Sequence, residues 1–424
     1  MARFLISVMP FTGHVAPLSA VAAELVRRGH DVRVYTGSAF RGRIEAVGGT
    51  LVPWRAAPEF DENNVSATFP RLVGKKGLSQ LLINMEDLFI NTAPKQNEDL
   101  DVEWARQPWD VMVSDEASIA PALFAERTGC PWANVAVLPL NLRSAQGPPT
   151  GIGLQPGRNP LTKARDALLR AAVPLGSRPL RAPTERARVA LDLPKATPAY
   201  DEAVFSRQLI IASGIPALDH HRTDRPAWVH YVGELTSAAK VQPLAELPPW
   251  WAELHGRVIV HVTQGTQNID PEDLIRPTTE ALADRDDVLV VVTTGVHGRD
   301  RLPFPVPANT RVAGFLPYAE LLPRVDTVIS NGGWGGVLAV LARGIPLVIG
   351  GGDLDKPEVA ARVAGAGAGI NLRTGTPKPK AIAAAFDRVR TDASFRASAR
   401  RVAAELAAAG GAPRAVELIE TLLP

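Results

Sequence analysis

Three groups of residues in this sequence have the types and spacing to do chemistry: a histidine, a pair of adjacent carboxylates and a glycine-rich turn. His14 stands in Phe11-Thr12-Gly13-His14-Val15-Ala16-Pro17, just after the apolar run Phe4 to Val8. Imidazole titrates near neutrality and can take a proton there. A lone histidine is more often a cap or a packing residue. Ser114, Asp115 and Glu116 change that balance, because they follow a second apolar run, Val111 to Val113, and can reach the same edge. A carboxylate bonded to one ring nitrogen would fix the tautomer and stabilise the imidazolium. Asp115 and Glu116 are rivals for that place.

The glycine-rich turn is Asn331-Gly332-Gly333-Trp334-Gly335-Gly336, preceded by the β-branched run Thr327 to Ile329. A helix predicted from about Val337 to Arg343, capped by Gly344, would aim free amides and its positive end at an anion, diphosphate being the candidate. Ile345 to Ile349 then resume the sheet and end in a polar turn, Asp353-Leu354-Asp355-Lys356. Two ligand-ready turns on one sheet edge suit a phosphorylated sugar. A third turn, after Val258 to Val262, carries Gly265 and Thr266, whose amide and hydroxyl could meet a phosphate oxygen. An ordinary hydroxyl turn accounts for that pair equally well.

Positioning these groups takes parallel strands and crossover helices. Phe4 to Val8, a helix Leu18 to Arg28 closed by Gly29, and Asp31 to Tyr35 form a βαβ opening. Val111 to Val113, a helix around Ile119 to Arg127, and Trp132 to Val137 repeat it. Strands at Val258 to Val262, Val288 to Thr293, Arg311 to Ala313, Thr327 to Ile329 and Pro346 to Ile349 make a second α/β series. The expectation is an α/β protein with a first unit over 1–233, a linker over 234–254, and a second unit over 255–405. Residues 406–424 would form a closing helix that returns to the first unit. Residues 56–97 and 142–200 read as irregular insertions with patchy helical periodicity.

Composition excludes several classes. The 424 residues, 46% hydrophobic, can fill two cores, and a net charge of +2 without a basic run argues against a nucleic-acid partner. One cysteine, Cys130, allows no internal disulfide and no cysteine-rich metal site, and the expected compartment is a reducing cytoplasm. No apolar run approaches the ~20 residues of a membrane span. Asp353-Leu354-Asp355 has the form of an acidic metal motif, but Asp99-Leu100-Asp101 has it too, and no metal need be invoked. The glycines Gly365, Gly367 and Gly369 end a helix and precede a strand, the reverse of a dinucleotide fingerprint.

The order of Asn331, the glycines, Gly344, Pro346 and Asp355, with the early motif Gly13-His14-Val15-Ala16-Pro17-Leu18, resembles the nucleotide-sugar glycosyltransferases with two facing Rossmann-like domains (the GT-B architecture). The bacterial enzymes that decorate antibiotics and other natural products are the nearest likeness. The resemblance implies an interdomain cleft, with the acceptor held by the first half and a UDP- or dTDP-sugar by the second. It implies that His14 is the general base with Asp115 as its partner. It further implies a donor site made by Gly13, Gly265, Thr266, Phe315, Leu316, Asn331, Gly333, Trp334, Gly335, Gly336, Asp355 and Lys356, with Phe315 stacking on the base. No metal or cofactor beyond the nucleotide sugar is implied, the acceptor is a small hydrophobic molecule, and the outcome is inversion in one displacement.

Three positions depart from the family pattern. Asn331 stands where many relatives have histidine, Lys356 where glutamine is usual, and Ala339 where many UDP-sugar users have a glutamate for the ribose hydroxyls. The last makes a deoxyribose donor, dTDP, an alternative. A nucleotide-sugar epimerase of the same fold and a noncatalytic partner protein are the competing readings.

Overall fold

The computed structural model describes residues 1–75, 77–195, 200–220, 222–236, 247–265, 270–296 and 298–424. Two parallel sheets organise the chain. The first contains β1 (Arg3–Ser7), β2 (Asp31–Thr36), β3 (Thr50–Pro53), β4 (Val111–Ser114), β5 (Trp132–Ala136), β6 (Ile210–Ser213) and β7 (Val229–Gly233), in spatial order β3-β2-β1-β4-β5-β6-β7. The second contains β8 (Val258–Thr263), β9 (Val288–Thr293), β10 (Thr310–Ala313), β11 (Thr327–Ser330), β12 (Leu347–Ile349) and β13 (Gly369–Asn371), ordered β10-β9-β8-β11-β12-β13. Val, Ile and Leu dominate the central strands, and β4, β6, β9, β11 and β12 are buried at every residue. Helices on both faces are what such runs require.

In each sheet the chain order reverses once, between β1 and β4 and between β8 and β11. Loops leaving the carboxyl ends of such a strand pair diverge and open a crevice. Ser7 pairs with Ser114, so the residues following β1 and β4 emerge side by side; Thr263 pairs with Ser330, doing the same for β8 and β11.

The helix after β1 spans Thr12–Arg27, starting six residues before the expected Leu18. Pro17 lacks the amide that would bond the carbonyl of Gly13, yet it lies inside the helix. Burial of Val15, Leu18, Val21 and Leu25 carries the helix through it, and His14 lies in its first turn. Residues 142–200 are likewise more regular than expected, with helices Pro160–Gly176 and Arg178–Val189 that continue through Pro174 and Pro183.

The last helix, Gly411–Glu420, puts Ala412, Ala415, Val416 and Ile419 into the core beneath the first sheet, and Glu420 pairs with Arg28 at 2.7 Å. Ile215 and Leu218, from the first sheet's side, join the core around Trp334, Leu338 and Val359 of the second. The two units therefore meet through a packed apolar contact. Of the expected linker, residues 237–246 lie outside the described residues, and the 3₁₀ segment Pro249–Leu254 buries Trp251 and Leu254 in the second unit's core.

Candidate active site

His14 Nδ1 lies 2.9 Å from Asp115 Oδ2. Asp115 is held from three sides, because Oδ2 also accepts the amide of Met9 at 2.9 Å, Oδ1 accepts that of Ala117 at 3.1 Å, and its carbonyl accepts Asn134 Nδ2 at 3.1 Å. Its side chain is 1% exposed. A buried carboxylate with two amide donors stays in register, and the imidazole bonded to it through Nδ1 keeps Nε2 as its second ring nitrogen. Burial disfavours the imidazolium. The bond and charge of Asp115, with the charges of Glu116 and Asp355, outweigh burial and raise the His14 pKa above 6.5.

Glu116 does not compete for the ring. Its carboxylate accepts the amides of Val137 and Leu138 at 3.0 and 2.8 Å, which anchors the loop after β5. Burial pushes it up to about 7, against the nearby His14.

Across the crevice, Gly333 caps the helix Trp334–Leu341, which begins three residues before the expected Val337, so Gly335 and Gly336 belong to its first turn. Gly333, Gly335 and Gly336 face open space, with no atom within 4 Å of where a Cβ would stand. Their amides are accessible to an anion. Gly332 has φ +91°, and a Cβ there would come 2.8 Å from Ile349. Ala339, one turn on from Gly335 and Gly336, is half-buried and packs against the second unit's core, while Val337, Leu338, Val340 and Leu341 are buried.

The Asn331 amide donates to the carbonyl of Gln264, which ties the turns after β8 and β11 together beside Gly265. Gly265 is exposed with φ +72°; Thr266 lies outside the described residues. Phe315 is 49% exposed, beside Leu316 at 2%, so the ring remains accessible to a base while Leu316 anchors the loop. Asp355 precedes the helix Lys356–Gly365, and Lys356 Nζ pairs with Asp353 at 3.1 Å. Burial raises the Asp355 pKa, opposed by Lys356 and by His14. The electrostatic reach between Asp355 and His14 brings the second unit's acidic turn up to the histidine of the first. Gly13 is exposed in the first helical turn next to it.

Trp334 plays a part that the sequence reading missed. Its ring is buried, and Nε1 donates to Ser213 Oγ at 2.9 Å in the other unit. A Cβ on Gly214 would approach the indole to 2.8 Å. The ring is thus an interdomain anchor, and only its backbone is left for a ligand.

A second link was also unforeseen. Glu358 accepts the amides of Gly151 and Gly153 at 3.0 and 3.2 Å and stands 3.2 Å from His220 Nε2. Arg362 reaches Glu358 at 3.0 Å, Asp219 at 2.9 Å and the Leu140 carbonyl at 3.1 Å. Glu358 and Arg362 at i and i+4 in an otherwise apolar helix were the available signal. His261, by contrast, is fully buried inside β8 and bonds the Val291 carbonyl at 3.0 Å, and burial lowers its pKa to about 4. It is structural. Among the described residues no three His, Cys, Asp or Glu side chains converge as metal ligands, and no helix is long and apolar enough to cross a membrane.

Comparison with known proteins agrees with this fold. Residues 278–423 match the family described as erythromycin biosynthesis protein CIII-like, C-terminal domain. Over 425 residues, and the full length of both chains, the sequence is 38% identical to 4'-demethylrebeccamycin synthase of Lentzea aerocolonigenes. It is 31% identical to UDP-glucosyltransferase B1 of Starmerella bombicola, covering 94% of this chain and 93% of that one. The crystal structure of the glycotransferase of kitacinnamycin matches with a TM-score of 0.75 at 20% identity, over 100% of this chain and 99% of that chain, a likeness of fold. The chain belongs to the two-domain nucleotide-sugar glycosyltransferases and is a glycosyltransferase.

Proposed function

We propose that the enzyme transfers a sugar from a dTDP- or UDP-sugar to a hydroxyl of a small natural-product aglycone, a polyketide, macrolide or aromatic, with inversion and without a metal. The observation that carries this reading is the His14–Asp115 pair, 2.9 Å apart at the first switch point, facing the acidic turn at Asp355. The acceptor oxygen loses its proton to His14 Nε2 and forms a bond to the anomeric carbon. The bond from that carbon to the diphosphate oxygen breaks on the opposite side, and the nucleoside diphosphate departs with the electron pair. Asp115 supports the imidazolium. The amides of Gly333 to Gly336, with the Gly265 turn, meet the charge developing on the diphosphate. Asp355 and Lys356 address sugar hydroxyls, and Phe315 stacks on the base.

The test is to incubate purified protein with UDP- and dTDP-sugars and a panel of aglycones, with products read by mass spectrometry. A mass gain of one sugar on an aglycone supports the proposal. Conversion of the donor to an isomer without any acceptor would replace it with an epimerase.

Activity is expected to survive exhaustive chelation, because helix amides rather than a cation meet the phosphate charge. Loss with EDTA and recovery with Mg²⁺ or Mn²⁺ would make Asp353 and Asp355 metal ligands instead.

Ala339, half-buried one turn into the phosphate-facing helix, offers no side-chain acceptor to a ribose hydroxyl. The wild type is therefore expected to show no strong preference for UDP over dTDP. Ala339→Glu should shift the ratio of kcat/KM toward UDP by about 1 to 3 kcal/mol, the scale of a polar group gaining its partner. UDP and dTDP forms of one sugar isolate the effect, and a wild type already favouring UDP a hundredfold would refute the role given to Ala339.

A further inference from the structure

The helix Pro160–Gly176 is built the wrong way round for a surface helix. Its start is fixed by a capping box between Asn159 and Thr162, and only Asp166 among its 17 residues is buried. Leu161, Leu168 and Leu175 are 83%, 73% and 57% exposed, and Ala164 and Ala172 are exposed between them. At about 100° per residue these five fall on one stripe facing solvent. The cationic residues do not border it evenly. Arg165 is turned to Asp166 at 2.6 Å and to the Gln155 carbonyl at 2.9 Å, Arg170 donates to the Gly147 carbonyl, and Lys163 lies on the far side. An apolar stripe along a helix about 25 Å long is a surface that calls for a partner.

The pattern says which partner. The spacing is symmetric about Leu168: alanine four residues to either side, leucine seven to either side. Leucines seven residues apart give the seam of a coiled coil, and small residues beside them let helix axes approach to about 8 Å. A stripe that reads the same in both directions is self-complementary under a twofold rotation. A membrane-surface helix would instead set its Lys and Arg along the rims of the apolar face. Here those side chains are drawn inward or placed behind.

We propose that Pro160–Gly176 is a homodimer contact, pairing antiparallel with the same helix of a second copy of this chain about a twofold axis through Leu168. Leu168 then meets Leu168 of the partner subunit, and Leu161 meets the partner's Leu175. Ile152, 45% exposed in the loop on which the helix rests, extends the apolar surface toward the roughly 800 Å² per partner of a standard interface. The stripe contains none of the residues assigned to catalysis or donor binding.

Light scattering after gel filtration and sedimentation equilibrium at micromolar concentration decide the matter. The wild type is expected at twice 45.3 kDa. Leu168→Glu sets like charges against each other on the axis and should yield a monomer with unchanged far-ultraviolet circular dichroism and thermal midpoint. Leu161→Glu and Leu175→Arg singly should weaken the dimer, and the double variant should restore it, because each new acid faces a new base. A monomeric wild type, a Leu168→Glu variant that stays dimeric, or failure of the double variant to recover would each overturn the proposal. So would flotation of a monomeric wild type with phosphatidylglycerol vesicles, which would assign the stripe to a membrane surface.

Discussion

Replacing His14 by alanine should lower turnover by about 10² to 10⁴-fold, the usual contribution of a positioned general base, while the dissociation constant for the nucleotide sugar changes little. The ring's Nδ1 is fixed at 2.9 Å by a carboxylate that is itself held by two amides, and none of the groups proposed to hold the diphosphate is bonded to it. The pH profile supplies an independent sign. His14 must be neutral to accept a proton, and its pKa lies above 6.5, so kcat/KM should fall on the acid side with a midpoint above that value. Single-turnover rates and donor titration calorimetry on the same variant separate chemistry from binding. Wild-type rates in His14→Ala with an acceptor un-ionised at the assay pH would remove the histidine from the mechanism.

Why the dyad was readable and its surroundings were not follows from how far each depends on sequence neighbours. A parallel strand places the residue after it at the sheet edge, so Val111 to Val113 located Asp115 without knowledge of the fold, and Phe4 to Val8 located the turn before His14. The glycine turn was legible for the same reason, since β11 ends at Ser330 and the amides follow within six residues. What was misjudged locally involved proline. The helix after β1 begins before Pro17, at Thr12, and the helices of the 142–200 stretch, read as irregular, continue through Pro174 and Pro183. The division of labour between Asp115 and Glu116 was not legible from the strand end alone. It depends on where the loop after β5 offers its amides. Nor was the side chain of Trp334, whose neighbours Ser213 and Gly214 lie 121 and 120 residues away and on the other unit. Nothing in the spacing around Trp334 points to partners that far away in the chain.

The largest stability effect is expected at another such contact, with Glu358→Ala. Glu358 and Arg362 are 2% and 1% exposed, and together they join the helix after Asp355 to Gly151, Gly153, Asp219, His220 and Leu140 of the first unit. Deleting one partner of a buried pair leaves the other charge without compensation, at a cost of about 3 to 5 kcal/mol. Here the loss also orphans two backbone amides. Burial alone would raise the Glu358 pKa. His220, 3.2 Å away, and the charge of Arg362 outweigh it and bring the group down to about 2. A carboxyl depressed from 4.5 to about 2 contributes stability above pH 4.5 and loses it as pH falls through about 2. The gap between wild type and Glu358→Ala in urea denaturation should therefore be widest near neutrality and narrow progressively as pH falls from 4.5 to about 2. A functional consequence follows from the same helix, because Asp355 and Lys356 sit at its beginning. Loosening its grip on the first unit should raise KM for the nucleotide sugar more than it lowers kcat, while Glu358→Gln, which can still accept from Gly151 and Gly153, should lose less of both. An unchanged urea midpoint, or a gap that does not narrow with acid, would show that the two units are held together by Trp334 and the apolar contact alone.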